Sequence, residues 1–122
     1  MAALTTRDQP ATGELRVIGP AGIDEQPWLP VPGCPGVAEK ELWHAGDLVA
    51  ALIRYEPGAR TPGQPHQIAD HHIWVVAGTA TIGGRRMVAG SYVHVPPTAA
   101  HPIEAGPVGC TILQLHHRSP AG

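Results

Sequence analysis

The stretch GARTPGQPHQIADHHIWVVAG, residues 58–78, sets His66, His71 and His72 within seven positions and brackets them with glycines. Another histidine, His101, closes a second run rich in glycine and proline, GSYVHVPPTAAH at residues 90–101. A neutral imidazole nitrogen binds first-row metals at about 2.0–2.1 Å. The ring suits Zn, Cu, Fe and Ni alike, so it does not name the ion. Taken singly, each of these residues reads as a surface or core histidine without a ligand. The spacing of the set is what points to chemistry.

Whatever positions these side chains must be built from short elements. The chain has 122 residues, which fits one domain able to bury a core without disulfide or metal staples. It carries 15 glycines, 14 prolines and no phenylalanine. Both punctuating residues break helices, whereas many short strands joined by turns tolerate them. Residues 14–19, ELRVIG, alternate as a short strand, and PWLPVPGCPG at 27–36 holds too many prolines for a central strand. The latter reads as an extended arm anchored by Trp28. VAEKELWH at 37–44 suits an edge strand, and LVAALIRY at 48–55 is strongly apolar. HHIWVVAG at 71–78 is the next strand, and Gly83-Gly84 is a two-residue hairpin signal. Residues 89–97 read as turn and strand, and residues 101–117 as strand, turn at Gly106-Pro107 and last strand. Roughly eight short strands without an amphipathic helix predict an all-β sandwich or barrel. Residues 1–13 are small and polar and read as a flexible N-terminal segment, leaving 14–122 as a single domain.

Composition narrows the partners. A formal net charge of −2 supplies no basic footprint for nucleic acid, and no Lys/Arg run offers a membrane anchor. No stretch of about 20 apolar residues spans a bilayer. The start MAALTTRDQP has no apolar h-region, so a cytoplasmic protein is expected. Cys34 and Cys110 are too few and too far apart for a disulfide framework or a metal motif. Strands nearly free of charge suggest sheet surfaces covered by a twin subunit, hence a homodimer.

The spacing resembles the paired signature of the cupin superfamily. From Gly58, five residues lead to Gln64, one to His66, four to His71 and six to Gly78. From Gly90, five residues lead to Pro96, one to Thr98 and two to His101. The resemblance covers about residues 48–116, most of the chain. It implies a jelly-roll β-barrel of two antiparallel sheets with little or no helix, holding one divalent transition metal. Carried over position by position, the ligands are Gln64, His66, His71 and His101. The pattern departs at Gln64, which replaces a histidine, and at His71, which replaces a glutamate. Thr98 stands where the family has glycine, and Ala105 where it has asparagine. Strand parity leaves an alternative open, because a one-residue bulge would turn His72 inward in place of His71.

A histidine in the glutamate position resembles the three-histidine dioxygenases of the superfamily. That likeness implies Fe, with Zn, Ni, Mn or Cu as other occupants of the same donors. It implies oxygenolytic cleavage of a small enolisable ketone or phenol. Other small cupins imply a Lewis-acid isomerase, epimerase or polyketide cyclase using Zn or Ni, and a non-catalytic module that senses metal or ligand is the third reading. Removing the glutamate charge leaves the ion a stronger Lewis acid for substrates that bind as anions. Tyr92 and His94 share parity and are candidates to line the cavity. Glu104 follows His101 closely and is the candidate general base. Ile53, Ile73, Val75 and Ile112 are expected to form the apolar lining, and His116 and His117 to end the last strand as a solvated tail.

Overall fold

The computed structural model of the chain describes Gly13, residues 15–63 and residues 70–117. Period-two alternation sets its core. Val49, Ala51, Ile53 and Tyr55 are buried in turn along one strand, as are His71, Ile73 and Val75 along another. Successive side chains of a strand face opposite ways, so these sets share one inner face.

The elements are α1 (Pro20–Glu25), β1 (Leu29–Pro30), β2 (Val37–Ala45), β3 (Leu48–Tyr55), β4 (Arg60–Thr61), β5 (His71–Ile82), β6 (Arg85–Val88), β7 (Tyr92–Val95) and β8 (Ile103–His117). All pairings are antiparallel, in the order β1-β2-β3-β8-β5-β6. β7 pairs with the first half of β5, β6 with the second half, and β4 with the start of β8. The all-β antiparallel jelly roll expected from the sequence is what forms. Its core is one cluster of aliphatic residues with Tyr55, extended by Met87, Val93 and Ala99.

β5 and β8 are long because each serves two parts of the fold, and glycine permits the corner between them. Their register shifts between Val75 and Ala77 and again between Gly78 and Ala80. Gly78 and Gly109 both have φ +77°, a region that L side chains avoid. A Cβ on Gly78 would fall on the Gly109 carbonyl and 2.9 Å from the Cys110 Cα. The paired backbones lie too close here for a side chain on Gly78, and a Cβ on Gly109 would meet the Tyr55 carbonyl oxygen at 2.6 Å.

Two expectations are corrected here. The chain does not reverse at Gly106-Pro107. β8 bulges there and resumes pairing with the same neighbour, β5, so one bent strand replaces two. Residues 15–19 form no strand, and Leu15 and Val17 stand exposed. Gly19-Pro20 instead opens α1, where proline at the first turn is pre-set for a helix. The flexible segment expected at 1–13 lies, Gly13 apart, outside the described residues.

The arm that follows α1 is anchored by Trp28, as expected. Its ring lies 4.6 Å from Lys40 Nζ and 4.3 Å from Arg54 Cζ. Lys40 is buried, and its ammonium donates to the Ile23 carbonyl at 2.8 Å, near the end of α1. Cys34 and Cys110 are both free thiols, and burial pushes Cys110 up to about 11. Among the described residues no helix is long and apolar enough to cross a membrane.

Candidate metal centre

Register decides which histidine of the β5 pair faces inward. His71 stands opposite Val95 and His72 opposite His94. Val95 is in the core and His94 is exposed, so His71 is the inner residue. His71 is 2% exposed and His101 6%. Their rings meet edge to face, with centroids 5.5 Å apart and planes at 86°. One comes from the first motif and one from the second, and the barrel interior brings them together.

The loop before β8 delivers His101. Its backbone N–H donates to the Gly63 carbonyl at 2.8 Å, and Ala99 N–H donates to Pro96 O at 3.3 Å. Gly63 has φ +59°, and a Cβ there would overlap the His101 carbonyl. Tyr55 shares a hydrogen bond of 3.0 Å with Thr61, tying the chain just before Gly63 to β3. Burial pushes the Tyr55 phenol well above its ordinary value, and the Thr61 bond offsets part of that rise. Gln64 and His66 lie outside the described residues. The residues that bound them, Gly63 and Asp70, adjoin His101 by hydrogen bond and His71 by sequence.

Thr98, in the family's glycine position, has φ +72° and is the one non-glycine at positive φ among the described residues. The turn before His101 thus keeps the glycine conformation with a β-branched residue in it, a strain of about 1–2 kcal/mol. Thr98→Gly is expected to raise stability by about 0.5–1 kcal/mol, the relief less the entropy of the added glycine. An unchanged or lower urea midpoint would contradict this.

A third imidazole was missed. His116 packs against His71, centroids 5.6 Å apart, with planes at 66°. It is half-buried on the inner face and is not a solvated tail. Parity carries the signal, because Ile112, Gln114 and His116 alternate along β8 and the first two are buried. His117 contributes through its backbone, whose N–H donates to His71 Nε2 at 3.3 Å. That bond sets the His71 ring plane, and coordination through Nε2 would exchange it for a metal–nitrogen bond.

Four other expectations change. His72 is on the outer face, where its Nδ1 shares a 2.7 Å hydrogen bond with the Tyr92 hydroxyl and its ring stacks on Trp74. Tyr92 and His94 border the cleft beside β7, but their rings are turned outward with His72, the opposite side of the sheet from His71. His94 Nε2 meets Asp70 Oδ1 at 2.7 Å, and that bond holds the exposed carboxyl below its ordinary value. Glu104 is exposed between buried Ile103 and Ala105, opposite Arg60 on one side and Thr81 on the other. It faces away from His101, which removes the reason to read it as the general base. Ile53, Ile73, Val75 and Ile112 pack against one another at 8% exposure or less and form solid core, not cavity wall.

The open space lies elsewhere. A cleft of about 380 Å³ runs between β6, β7 and the loop ending at His101.

A family model described as the ChrR cupin-like domain matches residues 21–120. The chain belongs to this cupin family. Among solved structures, KdgF from a Halomonas species is 29% identical, with a TM-score of 0.66 over 80% of this chain and 92% of that one. The polyketide cyclase RemF of Streptomyces resistomycificus gives 17% identity and a TM-score of 0.69, over 87% and 81% of the two chains. The anti-sigma factor ChrR of Rhodobacter sphaeroides, solved with SigE, gives 21% and 0.66, over 76% of this chain and 49% of ChrR. The last two likenesses show the fold alone. No curated protein matches the chain.

Cupins commonly bind a metal, and the donor chemistry of this cupin fits one. His71 and His101 are buried nitrogen donors from both motifs. Among the described residues, no three His, Cys, Asp or Glu side chains form a group able to hold an ion. Gln64 and His66, the other two positions of the resemblance, lie outside those residues.

Proposed function

We propose that this cupin holds one divalent transition metal on His66, His71 and His101, with Gln64 as the fourth donor. It acts on a small organic molecule at that centre. The observation that carries the reading is the buried, edge-on meeting of His71 and His101 beside an open cleft. A bound ion would supply Lewis acidity for an enolate, phenolate or carboxylate oxygen of the substrate. The protein's own part is to present neutral imidazoles, keep the surroundings apolar and leave the cleft side open.

The all-neutral donor set supports Fe and dioxygenase-like cleavage of an enolisable ketone or phenol as the first assignment. Metal analysis of protein purified without chelator, alongside His66→Ala, tests the centre. One equivalent of metal is expected in the parent and little in the variant, and full metal content in His66→Ala would sink the ligand set. Oxygen uptake with an enolisable diketone or a catechol then tests the chemistry. Turnover without oxygen on Zn or Ni would make it a Lewis-acid isomerase or cyclase instead. Kinship with the ChrR cupin-like domain supports a second reading, in which the domain binds metal without turnover. Metal binding with no reaction on either probe would favour that one.

A further inference from the structure

The cleft beside His101 carries the positive charge of Arg85. Arg85 stands opposite Ile82 in the β5–β6 hairpin, and Met87 opposite Ala80. Ile82 and Ala80 are in the core, so Arg85 and Met87 share its face. Both arginines are exposed, but Arg86 stands opposite exposed Thr81, on the other side of the hairpin. Arg85 lines the cleft with Ile82, Met87, Val93, Val95 and His101. Tyr92 and His94 border the same cleft, His94 with Asp70 bound to it, so aliphatic walls meet a guanidinium on the β6 side and imidazoles on the β7 side and at His101.

The guanidinium has no carboxylate to satisfy it among the described residues, where the ion pairs are His44–Glu41 and His94–Asp70. Glu104 sits opposite Thr81, in the row of Arg86, whereas the row of Arg85 runs through Ile82 to Ile103. Arginine stays charged at any ordinary pH and offers a planar fork that matches a carboxylate. At about 380 Å³ the cleft is at the small end of the ligand-pocket range, about 300–1,000 Å³.

We propose that this cleft takes a small, mainly apolar carboxylate, with Arg85 holding the anionic end and the apolar body lying along Met87, Val93 and Val95 towards His101. The proposal names a substrate class for the centre proposed above and rests on that reading for what the ligand meets there. Binding by Arg85 itself needs no metal, so the two can fail separately.

The test uses the full chain treated with chelator, and benzoate and benzyl alcohol as probes of equal shape and different charge. Amide chemical shifts are followed by NMR as each is titrated. Benzoate is expected to bind about tenfold more tightly, the size of one charge-assisted contact. Its shifts should centre on Gly83, Val93, Val95 and Ala99. Arg85→Gln should lower benzoate to the level of benzyl alcohol, while Arg86→Gln leaves it unchanged. Equal affinity for the two probes, an unaffected Arg85→Gln protein or shifts centred away from this cleft would each overturn the proposal. A failure of the metal reading appears in metal content and leaves this titration untouched.

Discussion

His71→Ala is expected to strip the metal from the protein, and His72→Ala to leave it bound. The residues are neighbours in sequence with the same side chain, so only the face of β5 separates them. His71 is 2% exposed and meets His101, whereas His72 stacks on Trp74 and Tyr92 outside. Changes to groups that merely support a ligand lower metal affinity about 10–100-fold. Loss of a ligand in a site with four donors should exceed about 100-fold. His72→Ala should leave affinity within about twofold and cost only the outer stacking, about 0.5–1.5 kcal/mol.

His71→Ala also removes the acceptor for His117 N–H, a cost of about 1–3 kcal/mol. His101→Ala separates the two effects. It keeps the backbone bond of residue 101 to Gly63 and the His71 acceptor for His117 N–H, and loses the ring contact with His71. Cobalt titration of all three variants, with circular dichroism to verify folding, gives the answer. Metal retained in folded His71→Ala and His101→Ala, or lost in His72→Ala, would refute the site.

Gly78→Ala is expected to cost about 3–5 kcal/mol, a large share of the 5–15 kcal/mol that holds a domain together. Two penalties combine. Alanine at φ +77° costs about 1–2 kcal/mol, and its methyl must displace the backbone of Gly109 and Cys110, which are held in β8. Gly83→Ala is the control. Its φ is +57°, but nothing lies within 4 Å of the added carbon, so only the first penalty applies. Urea midpoints that fall equally for the two variants would show that the close backbone approach at Gly78 carries no weight.

Much of the site was legible because cupin spacing is spacing along strands. Residues 48–55 and 71–78 read as strands from alternation alone, and the structure begins β3 and β5 at those residues. What misled was the direction of side chains on strands without a clear apolar pattern. Tyr92 and His94 were correctly given one face, but the sequence of β7 does not say which face looks inward. Glu104 was judged by its distance along the chain from His101, and on a strand a neighbour in sequence points the other way. Arg85 and Arg86 are indistinguishable until the hairpin register assigns one to each side.

By itself the sequence determined an all-β chain and its cupin kinship, and it marked His101 and one of the pair His71 and His72 as candidate ligands, because glycine and proline positions and period-two alternation are local properties. Only the tertiary structure decided that His71 and not His72 turns inward, that His116 joins the cluster, and that Arg85 lines the cleft. Those outcomes depend on which residues stand opposite one another across strands distant in the chain. A register shift of one residue reverses every such assignment without altering a single local preference.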